Sequence, residues 1–320
     1  TSAQVGGARY RRFLSAKPIL VVATICTRLK IVVHLTHCWG AKMRVALVQL
    51  TVTDDPIANL AVTLGFLDQA IAGGAEFILT PECTNALSSN RDHLKKILYH
   101  QDEDPTLKAM QARAKSASVW ILVGSLGLLT RDSDARFANR SFLIDPLGQI
   151  VAQYDKIHMF DVTLSESEVY RESASYRPGD QAVLGMVAGA RVGLTICYDV
   201  RFSALYRRLA QAGAQILTVP AAFNHITGAA HWHVLLRARA IETGCFVLAP
   251  AQTGFHPEAQ GKGRKTFGCS LIISPWGEVL SDAGTSAGVT FATLDLGAVD
   301  QARAKVGSLQ HDRKIEGPDV

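Results

Sequence analysis

A cysteine at the end of an apolar run is the first residue of this sequence that could act as a nucleophile. Residues 192–197 form an apolar segment with strand character, and the chain continues as Cys197-Tyr-Asp-Val-Arg201. The polar residues predict a turn from strand to helix, where helix N-terminal amides lower a thiol pKa and can donate to an oxyanion. Free cysteines are also among the most buried residue types, so position alone leaves a purely structural role for Cys197 open.

A carboxylate and an ammonium group could complete such a site. Glu82 follows Pro81 at the end of the apolar run 77–80, and Lys156 follows a hairpin-like segment. A partly buried Glu82 near Cys197 could deprotonate the thiol and later a water molecule. Lys156 could stabilise the thiolate and a tetrahedral oxyanion. Taken singly, each of these two charged residues is equally compatible with an exposed strand end.

Three histidines raise the alternative of a zinc-dependent amidohydrolase. His225, His231 and His233 lie close together in the sequence. Residues two apart do not face each other on a helix, and no H-E-x-x-H motif accompanies these histidines. The sequence therefore predicts no metal site.

The elements that must position these residues alternate between strands and helices. Amphipathic segments of helical length occupy residues 56–72 and 204–212. Apolar β-rich runs occur at residues 45–50, 77–80, 119–124, 142–144, 192–197, 216–219, 246–249 and 271–273. This alternation predicts an α/β protein.

An internal repeat organises the body of the chain. Arg44-Val-Ala-Leu matches Arg191-Val-Gly-Leu, and Gly74-Ala-Glu-Phe-Ile-Leu-Thr-Pro matches Gly213-Ala-Gln-Ile-Leu-Thr-Val-Pro. In both halves a further apolar run and a hairpin with Pro and Gly in its turn follow in the same order. The repeat predicts two similar sheets packed face to face within one domain, with helices outside each sheet.

Three motifs together resemble those of the nitrilase superfamily of carbon-nitrogen hydrolases. They are Pro81-Glu82, Tyr154-Asp-Lys-Ile-His-Met-Phe-Asp161 and Gly193-Leu-Thr-Ile-Cys-Tyr-Asp-Val-Arg-Phe202, and the resemblance runs from Met43 to about Arg313. It implies a four-layer α-β-β-α sandwich with an internal pseudo-twofold repeat, in agreement with the repeat found in the sequence. It also implies a homodimer or a higher homo-oligomer.

The resemblance implies a role for each residue of the site. Glu82, Lys156 and Cys197 are expected to be catalytic, and Glu172 is expected to orient Lys156 or the substrate. Glu82 would accept the thiol proton, and the thiolate would attack an amide carbonyl to form a thioester. Lys156 and the backbone N–H of Tyr198 would stabilise the oxyanion, and water activated by Glu82 would release the acid. The implied mechanism needs no metal ion and no organic cofactor.

Two further segments resemble the branch of deaminated-glutathione amidases and omega-amidases. They are Phe223-Asn-His-Ile-Thr-Gly-Ala-Ala-His-Trp232 and Leu235-Leu-Arg-Ala-Arg-Ala-Ile-Glu242. They imply a small-molecule amide as substrate, with a carboxylate of its own if Arg177, Arg201 or another basic residue anchors it. The residues expected to bind this substrate are Tyr198, Arg201, Phe223, Asn224, His231 and Trp232.

Departures from the family pattern leave the substrate open. Arg201-Phe-Ser-Ala204 and Gly268-Cys-Ser270 stand where relatives often read Arg-Phe-Pro-Glu and Gly-His-Ser, and His233 replaces an acidic residue of some relatives. A nitrilase or an N-carbamoyl amide hydrolase would use similar catalytic residues. A catalytically inactive binding or scaffold protein is an alternative of another class, although the presence of all three catalytic positions disfavours it.

Composition and charge exclude several other functions. Segment 1–42 contains seven of the 33 Lys and Arg residues and no acidic residue, which leaves 26 basic and 28 acidic residues in the body, a net charge of −2. Because the body has no Lys/Arg run, we expect no nucleic-acid partner. The six cysteines are widely spaced without a C-x-x-C pair, which favours a reducing compartment and a cytoplasmic location.

The basic segment 1–42 is predicted to be an N-terminal extension outside the fold, with the hydrolase domain at 43–320. Its apolar runs are interrupted by basic residues and are too short to span a bilayer, so no membrane association is expected. Its lack of acidic residues also suits a transit peptide, which would make the location organellar.

Overall fold

The structure is a computed structural model that describes residues 42–166, 168–259 and 263–318. The extension predicted at 1–42 lies outside the described residues, except for Lys42. Strand β1 (Lys42–Gln49) begins at this residue, one position before the predicted start of the domain. The predicted division of the chain at residue 43 stays a prediction.

The described residues form sixteen strands and six α-helices in α/β alternation. After β1 the strands are β2 (Phe77–Leu79), β3 (Trp120–Leu128), β4 (Ala138–Ile144), β5 (Ile150–Asp155), β6 (Asp161–Thr163), β7 (Val169–Arg171), β8 (Val183–Val187), β9 (Ala190–Leu194), β10 (Ile216–Thr218), β11 (Phe246–Ala249), β12 (Thr253–His256), β13 (Arg264–Phe267), β14 (Leu271–Ile273), β15 (Val279–Asp282) and β16 (Gly288–Asp295). The helices are α1 (Pro56–Ala72), α2 (Arg91–Ile97), α3 (Pro105–Ala117), α4 (Ser203–Gln211), α5 (His225–Thr243) and α6 (Gly297–Lys305).

Two six-stranded sheets repeat the same topology. Their strand orders are β16-β1-β2-β3-β4-β5 and β15-β14-β11-β10-β9-β8. In each sheet three consecutive strands are parallel, β1-β2-β3 in the first and β9-β10-β11 in the second. An antiparallel strand borders the first member of each trio, β16 in one sheet and β8 in the other. The predicted internal repeat is confirmed, with the last strand of the chain completing the first sheet.

Alternation along the strands separates the two faces of the first sheet. Val45 and Leu47 belong to the core shared with the second sheet. Ala46 and Val48, which point the opposite way, belong to a second core together with Leu67 of α1. Because successive strand side chains point to opposite faces, one sheet contributes to two cores and the molecule has four layers. The predicted α-β-β-α sandwich is confirmed.

Helix α5 is bounded by local signals in the sequence. The Asn224 side chain accepts hydrogen bonds from the N–H groups of Ile226 at 2.9 Å and Thr227 at 3.3 Å, which caps the first turn. Gly244, at φ 60°, ends the helix in a left-handed conformation that glycine adopts without strain. Among the described helices, none is both long enough and apolar enough to cross a membrane.

Candidate active site

Cys197 lies in a tight turn that follows β9, the first strand of the parallel trio in the second sheet. Strand β9 ends at Leu194, three residues earlier than predicted, and a 3₁₀ helix occupies Cys197–Arg201. Cys197 has φ 47°, a left-handed conformation that costs a non-glycine residue free energy and is found mostly where surrounding structure fixes it. Its N–H donates to the Pro220 carbonyl at 2.9 Å, which fixes the backbone of the thiol-bearing residue.

A buried carboxylate holds this turn to the segment that carries Lys156. Asp199 Oδ2 accepts hydrogen bonds from Ile196 N–H at 2.8 Å and the Tyr154 hydroxyl at 2.7 Å. Its Oδ1 lies 3.0 Å from His158 N and 2.7 Å from His158 Nδ1. Because Tyr154 and His158 flank Lys156 in sequence, Asp199 fixes the relative position of the thiol and the ammonium.

Glu82 follows β2 and is almost completely buried, with 4% of its surface exposed. Its Oε1 accepts hydrogen bonds from Lys156 Nζ at 2.8 Å and Asn139 Nδ2 at 2.9 Å. Its Oε2 accepts from the Ala222 N–H at 2.7 Å. Three donors thus satisfy a carboxylate that burial would otherwise disfavour.

Lys156 is shared between two carboxylates. Besides Glu82, its Nζ donates to both Glu172 oxygens at 2.9 Å. Glu172 is held in turn by the Phe160 N–H at 2.6 Å, and the Asn139 amide reaches its Oε1 at 3.3 Å. Glu172 therefore contacts the ammonium directly, as its expected orienting role requires.

The charges of the three central groups follow from these contacts. Burial raises the pKa of the Cys197 thiol well above its ordinary value, and Glu82 raises it further against the effect of Lys156. Burial acts to raise the pKa of Glu82, but the Lys156 charge and hydrogen bonds from Lys156, Cys197 and Ala222 together lower it below its ordinary value. Burial acts to lower the pKa of Lys156, but Glu172 and Glu82 raise it well above its ordinary value. The resting site thus combines a neutral thiol, a carboxylate and an ammonium.

These groups line a cavity of ≈ 440 Å³, a size suited to a small molecule. Phe160 forms part of an aromatic wall, with ring centroids 5.2 Å from Tyr170 and 5.1 Å from Tyr198. The cavity brings together the predicted residues Glu82, Lys156, Glu172, Cys197, Tyr198, Phe223 and Asn224.

Three residues predicted to bind substrate lie outside the part of the cavity lining that the described residues form. Trp232 is fully buried, and its Nε1–H donates to the Cys269 carbonyl at 2.8 Å. The Arg201 guanidinium carbon lies 5.4 Å from the Phe223 ring centroid, and its Nη2 is 3.3 Å from His231 Nδ1. His231 and Trp232 lie on α5 about two turns beyond Asn224, which is the last predicted residue of this segment to line the cavity.

Asn139 and Arg264 are two of the polar cavity residues that sequence reasoning missed. Asn139 contacts both Glu82 and Glu172, and its Oδ1 is buried without a hydrogen-bond partner among the described residues. Arg264 lines the cavity with its guanidinium carbon 5.9 Å from the Tyr170 ring centroid. A lone basic residue at a strand start carries no sequence signal of this placement. Arg177, considered as a carboxylate anchor, instead pairs with Asp132 at 2.7 Å.

The three histidines considered for zinc do not face a common point. His231 faces Arg201, whereas His233 Nε2 lies 3.1 Å from Asp282 Oδ2. The described structure therefore gives no support to a metal centre built from His225, His231 and His233.

Comparison with known proteins agrees with this geometry. The carbon-nitrogen hydrolase family matches residues 44–304. The deaminated glutathione amidase of Yersinia enterocolitica is 37% identical over 277 residues, which cover 85% of this chain and 93% of that protein. A deaminated glutathione amidase of Synechocystis sp. is 39% identical over 268 residues, which cover 83% of this chain and 96% of that protein.

Solved structures show the same similarity. The C. elegans NitFhit protein matches with a TM-score of 0.78 at 32% identity, over 86% of this chain and 66% of that one. An amidase from Nesterenkonia sp. matches with a TM-score of 0.67 at 25% identity, over 83% and 95% of the two chains. Since the family match covers most of the chain and the two amidases are similar over nearly their whole length, the chain belongs to the carbon-nitrogen hydrolase family of the nitrilase superfamily, on the deaminated glutathione amidase branch, and is a hydrolase of carbon-nitrogen bonds other than peptide bonds.

Proposed function

We propose that this chain hydrolyses the amide of a small, carboxylate-bearing molecule to an acid and ammonia or an amine, with Cys197 as the nucleophile. The observation that carries the proposal is the 2.8 Å contact between Lys156 Nζ and Glu82 in a cavity that Cys197 also lines. Nucleophile, base and fixed positive charge are the groups that acyl transfer through a thioester needs. They supply these functions without a metal ion or an organic cofactor.

Acylation begins with proton transfer from the Cys197 thiol to Glu82. The sulfur then forms a bond to the amide carbonyl carbon, and the carbonyl electrons move onto oxygen. Lys156 and the N–H of Tyr198 stabilise this oxyanion. Glu82 gives its proton to the leaving nitrogen as the carbon-nitrogen bond breaks, which leaves a thioester on Cys197.

Deacylation again uses the Glu82 carboxylate as the general base. Glu82 takes a proton from a water molecule, and the water oxygen forms a bond to the thioester carbon. Collapse of the second tetrahedral intermediate breaks the carbon-sulfur bond, and the Glu82 proton returns to sulfur. The lowered pKa of Glu82 suits this role, because the carboxylate must be ionised before each half-reaction.

The substrate class rests on Arg264. Two arginines line the described part of the cavity, Arg171 and Arg264. Arg171 donates to the backbone carbonyls of Tyr170 and Val162 at 2.7 and 3.2 Å. Arg264 uses its Nη2 on the Ala222 carbonyl at 2.8 Å, and its guanidinium offers further N–H groups for a carboxylate. We therefore infer that Arg264 anchors the acid group of an omega-amide, and the names of the two relatives suggest deaminated glutathione as one such compound.

The reaction is tested by measuring intact-protein mass and the release of ammonia or amine on a panel of amides. The panel includes α-ketoglutaramate, deaminated glutathione and neutral amides of similar size. Cys197→Ala is the test variant, and Cys245→Ala, which removes a buried thiol outside the cavity, is the matched control. We expect turnover and a trapped acyl adduct in the wild type and the control, and neither in Cys197→Ala.

Other outcomes identify the alternative functions. Turnover of nitriles or N-carbamoyl compounds but not of amides would replace the amidase proposal with one of these activities. Saturable amide binding without turnover would indicate a binding protein. Turnover that persists in Cys197→Ala would refute the thiol mechanism.

Arg264→Gln tests the anchoring of the carboxylate separately. We expect KM for the acidic amide to rise by about tenfold to a hundredfold, since a lost charge-assisted hydrogen bond costs about 1.5–3 kcal/mol. KM for a neutral amide should stay unchanged, and Arg171→Gln should leave both values near those of the wild type. Equal effects of Arg264→Gln on both substrates would remove the carboxylate from the proposal.

We also propose a homodimer that buries the outer face of α5. Val234 and Ile241, seven residues apart on this helix, are 68% and 54% exposed. Trp276 is 53% exposed and precedes Gly277, which adjoins Ile241. Ile241→Asp should shift the mass measured by light scattering from dimer to monomer. Ile57→Asp, at an equally exposed position on α1, should not.

A cytoplasmic location is part of the same proposal. The described cysteines Cys83, Cys197, Cys245 and Cys269 are free thiols, which suits a reducing compartment. Fractionation of cells that express the full chain tests the location. Recovery in an organelle would favour the transit-peptide alternative for residues 1–42.

A further inference from the structure

Three side chains of different metal-binding types meet where α5 packs near the β14–β15 hairpin. His233 lies on α5, Cys269 precedes β14 and Asp282 ends β15. One donor atom from each residue lies within 4.8 Å of the other two. We propose that His233, Cys269 and Asp282 bind a Zn²⁺ ion.

Hydrogen bonds outside the cluster orient two of the donors. Asp282 Oδ1 accepts from the Gly284 N–H at 2.8 Å, which leaves Oδ2 to face His233 Nε2 at 3.1 Å. The backbone of Cys269 is fixed on both sides, since its N–H donates to Gly284 O at 2.8 Å and its carbonyl accepts from Trp232 Nε1 at 2.8 Å. Supporting contacts of this kind are characteristic of metal ligands, whose outer partners set their orientation.

The His233 ring is oriented by packing. Its centroid lies 6.1 Å from that of Phe267, with the two rings nearly perpendicular at 85°. This contact leaves Nε2 directed at Asp282. Neighbouring groups therefore orient the imidazole and the carboxylate, and they fix the backbone that carries the thiol.

The donor set favours zinc over harder cations. A thiolate, an imidazole and a carboxylate suit Zn²⁺, which binds sulfur at about 2.3 Å and nitrogen or oxygen at about 2.0–2.2 Å in tetrahedral sites. Mg²⁺ and Ca²⁺ prefer sites made of oxygen alone. The side chains of His233 and Asp282 are each 39% exposed, so they can close on an ion held by Cys269, and solvent can supply the fourth ligand.

Binding at this cluster is independent of the proposed amide hydrolysis. Within the described residues, none of the three ligands lines the cavity. Coordination forms a sulfur-zinc bond and breaks the S–H bond of Cys269, whose proton passes to solvent. The ion would join α5 to the β14–β15 hairpin, and an ion that binds only the folded chain stabilises it.

Titration with Co²⁺, a spectroscopic substitute for Zn²⁺, tests the site directly. The protein is the full chain with Cys26→Ser and Cys38→Ser, which removes both thiols of segment 1–42. We expect one equivalent of Co²⁺ to produce a thiolate-to-metal charge-transfer band that Zn²⁺ abolishes. Cys269→Ser should eliminate the band, and His233→Gln and Asp282→Asn should each weaken binding by about 10- to 100-fold.

Two controls separate this cluster from other donors. His231→Gln changes another histidine of α5, and Cys245→Ser changes a buried thiol elsewhere. Both should keep the band and the affinity, and Zn²⁺ should raise Tm in the parent and not in Cys269→Ser. Amide hydrolysis by Cys269→Ser should remain within about twofold of the parent, because Cys269 does not line the cavity and the change removes no substrate contact.

Absence of the band in the parent, or a band of equal strength in Cys269→Ser, would overturn the proposal. The cluster would then be a hydrogen-bonded thiol, imidazole and carboxylate without a metal. Circular dichroism shows whether each variant is folded. If Cys269→Ser is unfolded, His233→Gln and Asp282→Asn provide an independent test, because both keep the Cys269 thiol.

Discussion

Lys156 donates two hydrogen bonds of 2.9 Å to the carboxylate of Glu172. The same ammonium donates to Glu82 at 2.8 Å. In the proposed mechanism Glu82 becomes neutral when it accepts the thiol proton, and its attraction for Lys156 weakens at that moment. Glu172 takes no part in this proton transfer, so its two hydrogen bonds hold Lys156 in place when the oxyanion forms.

Glu172→Gln should therefore lower kcat and change the pH profile. Glu172 raises the pKa of Lys156 against the effect of burial, so removing its charge lowers that pKa. The alkaline limb of kcat/KM should move to lower pH, and kcat should fall by about 100-fold through loss of positioning. Glu168→Gln changes a carboxylate whose contacts among the described residues do not include Lys156, and it should keep the wild-type profile. An unshifted limb in Glu172→Gln would show that Glu172 does not control the charge of Lys156.

Asp199→Asn should loosen the turn that carries Cys197. The carboxylate accepts from Ile196 N–H and the Tyr154 hydroxyl on one oxygen and faces His158 on the other. The asparagine NH₂ group would replace one of these acceptor oxygens and would face N–H or O–H donors that then lose their acceptor. This loss should reduce the free energy of unfolding by about 1–3 kcal/mol. Urea unfolding and the rate of Cys197 alkylation by iodoacetamide measure both effects.

Tyr154→Phe is the matched control, because it removes one donor and leaves the carboxylate intact. It should lose less stability than Asp199→Asn and keep an alkylation rate closer to that of the wild type. Equal losses in the two variants would indicate that the tyrosine hydroxyl, and not the carboxylate, fixes the turn.

His256 should make the fold less stable in mild acid. The ring is buried, with Nδ1 2.7 Å from the Val52 carbonyl and Nε2 2.7 Å from the Thr266 hydroxyl, and burial lowers its pKa to about 4. A pKa below the unfolded value of about 6.5 means that stability is complete above pH 6.5 and is lost as pH falls toward 4. The loss from this group between pH 7 and pH 5 should be about 2 kcal/mol.

Urea unfolding at these two pH values measures the effect of His256. His256→Gln should flatten the dependence on pH, at a cost in stability at pH 7 from the altered hydrogen bonds. His311→Gln, at an exposed position, should keep the slope of the wild type. A slope that His256→Gln leaves unchanged would assign the acid sensitivity to other groups.

The sequence indicated the parts of the site that end apolar strands. Glu82 follows β2 and Cys197 follows β9, two parallel strands in opposite halves of the repeat, so their meeting follows once the two trios face each other. Lys156 was indicated by its position after a hairpin-like segment, whereas Glu172 entered through the family resemblance. The fold class followed from the repeat itself, because each copy has to cover the same apolar sheet face.

The rest of the site depends on contacts between residues far apart in sequence, which no local sequence pattern predicts. Arg264 reaches the cavity from β13, far along the chain from Glu82, and Asn139 contacts both glutamates from the middle layer. Trp232 was assigned to the substrate because it ends a motif that Phe223 begins. The residues between Phe223 and Trp232 begin α5, so the two ends of the motif occupy different places. The buried position of Trp232 depends on its contact with Cys269, which is distant in sequence.

Trp232→Phe tests this corrected placement. The change removes the hydrogen bond from Nε1 to the Cys269 carbonyl and leaves a buried acceptor unsatisfied, which should cost about 1–3 kcal/mol of stability. KM should stay within about twofold of the wild type, because mutations away from the site remove no substrate contact. Phe223→Ala, which opens the cavity wall, should raise KM. An increase of KM in Trp232→Phe without loss of stability would return Trp232 to the substrate site.

Gly124 of β3 permits the close approach of the two catalytic turns. A Cβ at this position would collide with the Thr80 carbonyl and lie 2.6 Å from Pro220 Cβ. Thr80 precedes Pro81-Glu82, and Pro220 accepts the hydrogen bond from Cys197 N–H. Gly124→Ala should therefore displace the base from the nucleophile and lower kcat by about 100-fold, the cost of a misplacement near 1 Å.

Gly65→Ala provides a matched control for the same chemical change. Gly65 lies on α1 with nothing within 4 Å of an added Cβ, and alanine favours a helix by about 1 kcal/mol over glycine. This variant should keep full activity and unfold at higher urea concentration, whereas Gly124→Ala should unfold at lower concentration. Full activity in a folded Gly124→Ala would mean that the strand ends can separate without disturbing the Glu82–Cys197 pair, and that the turns are positioned by Asp199 alone.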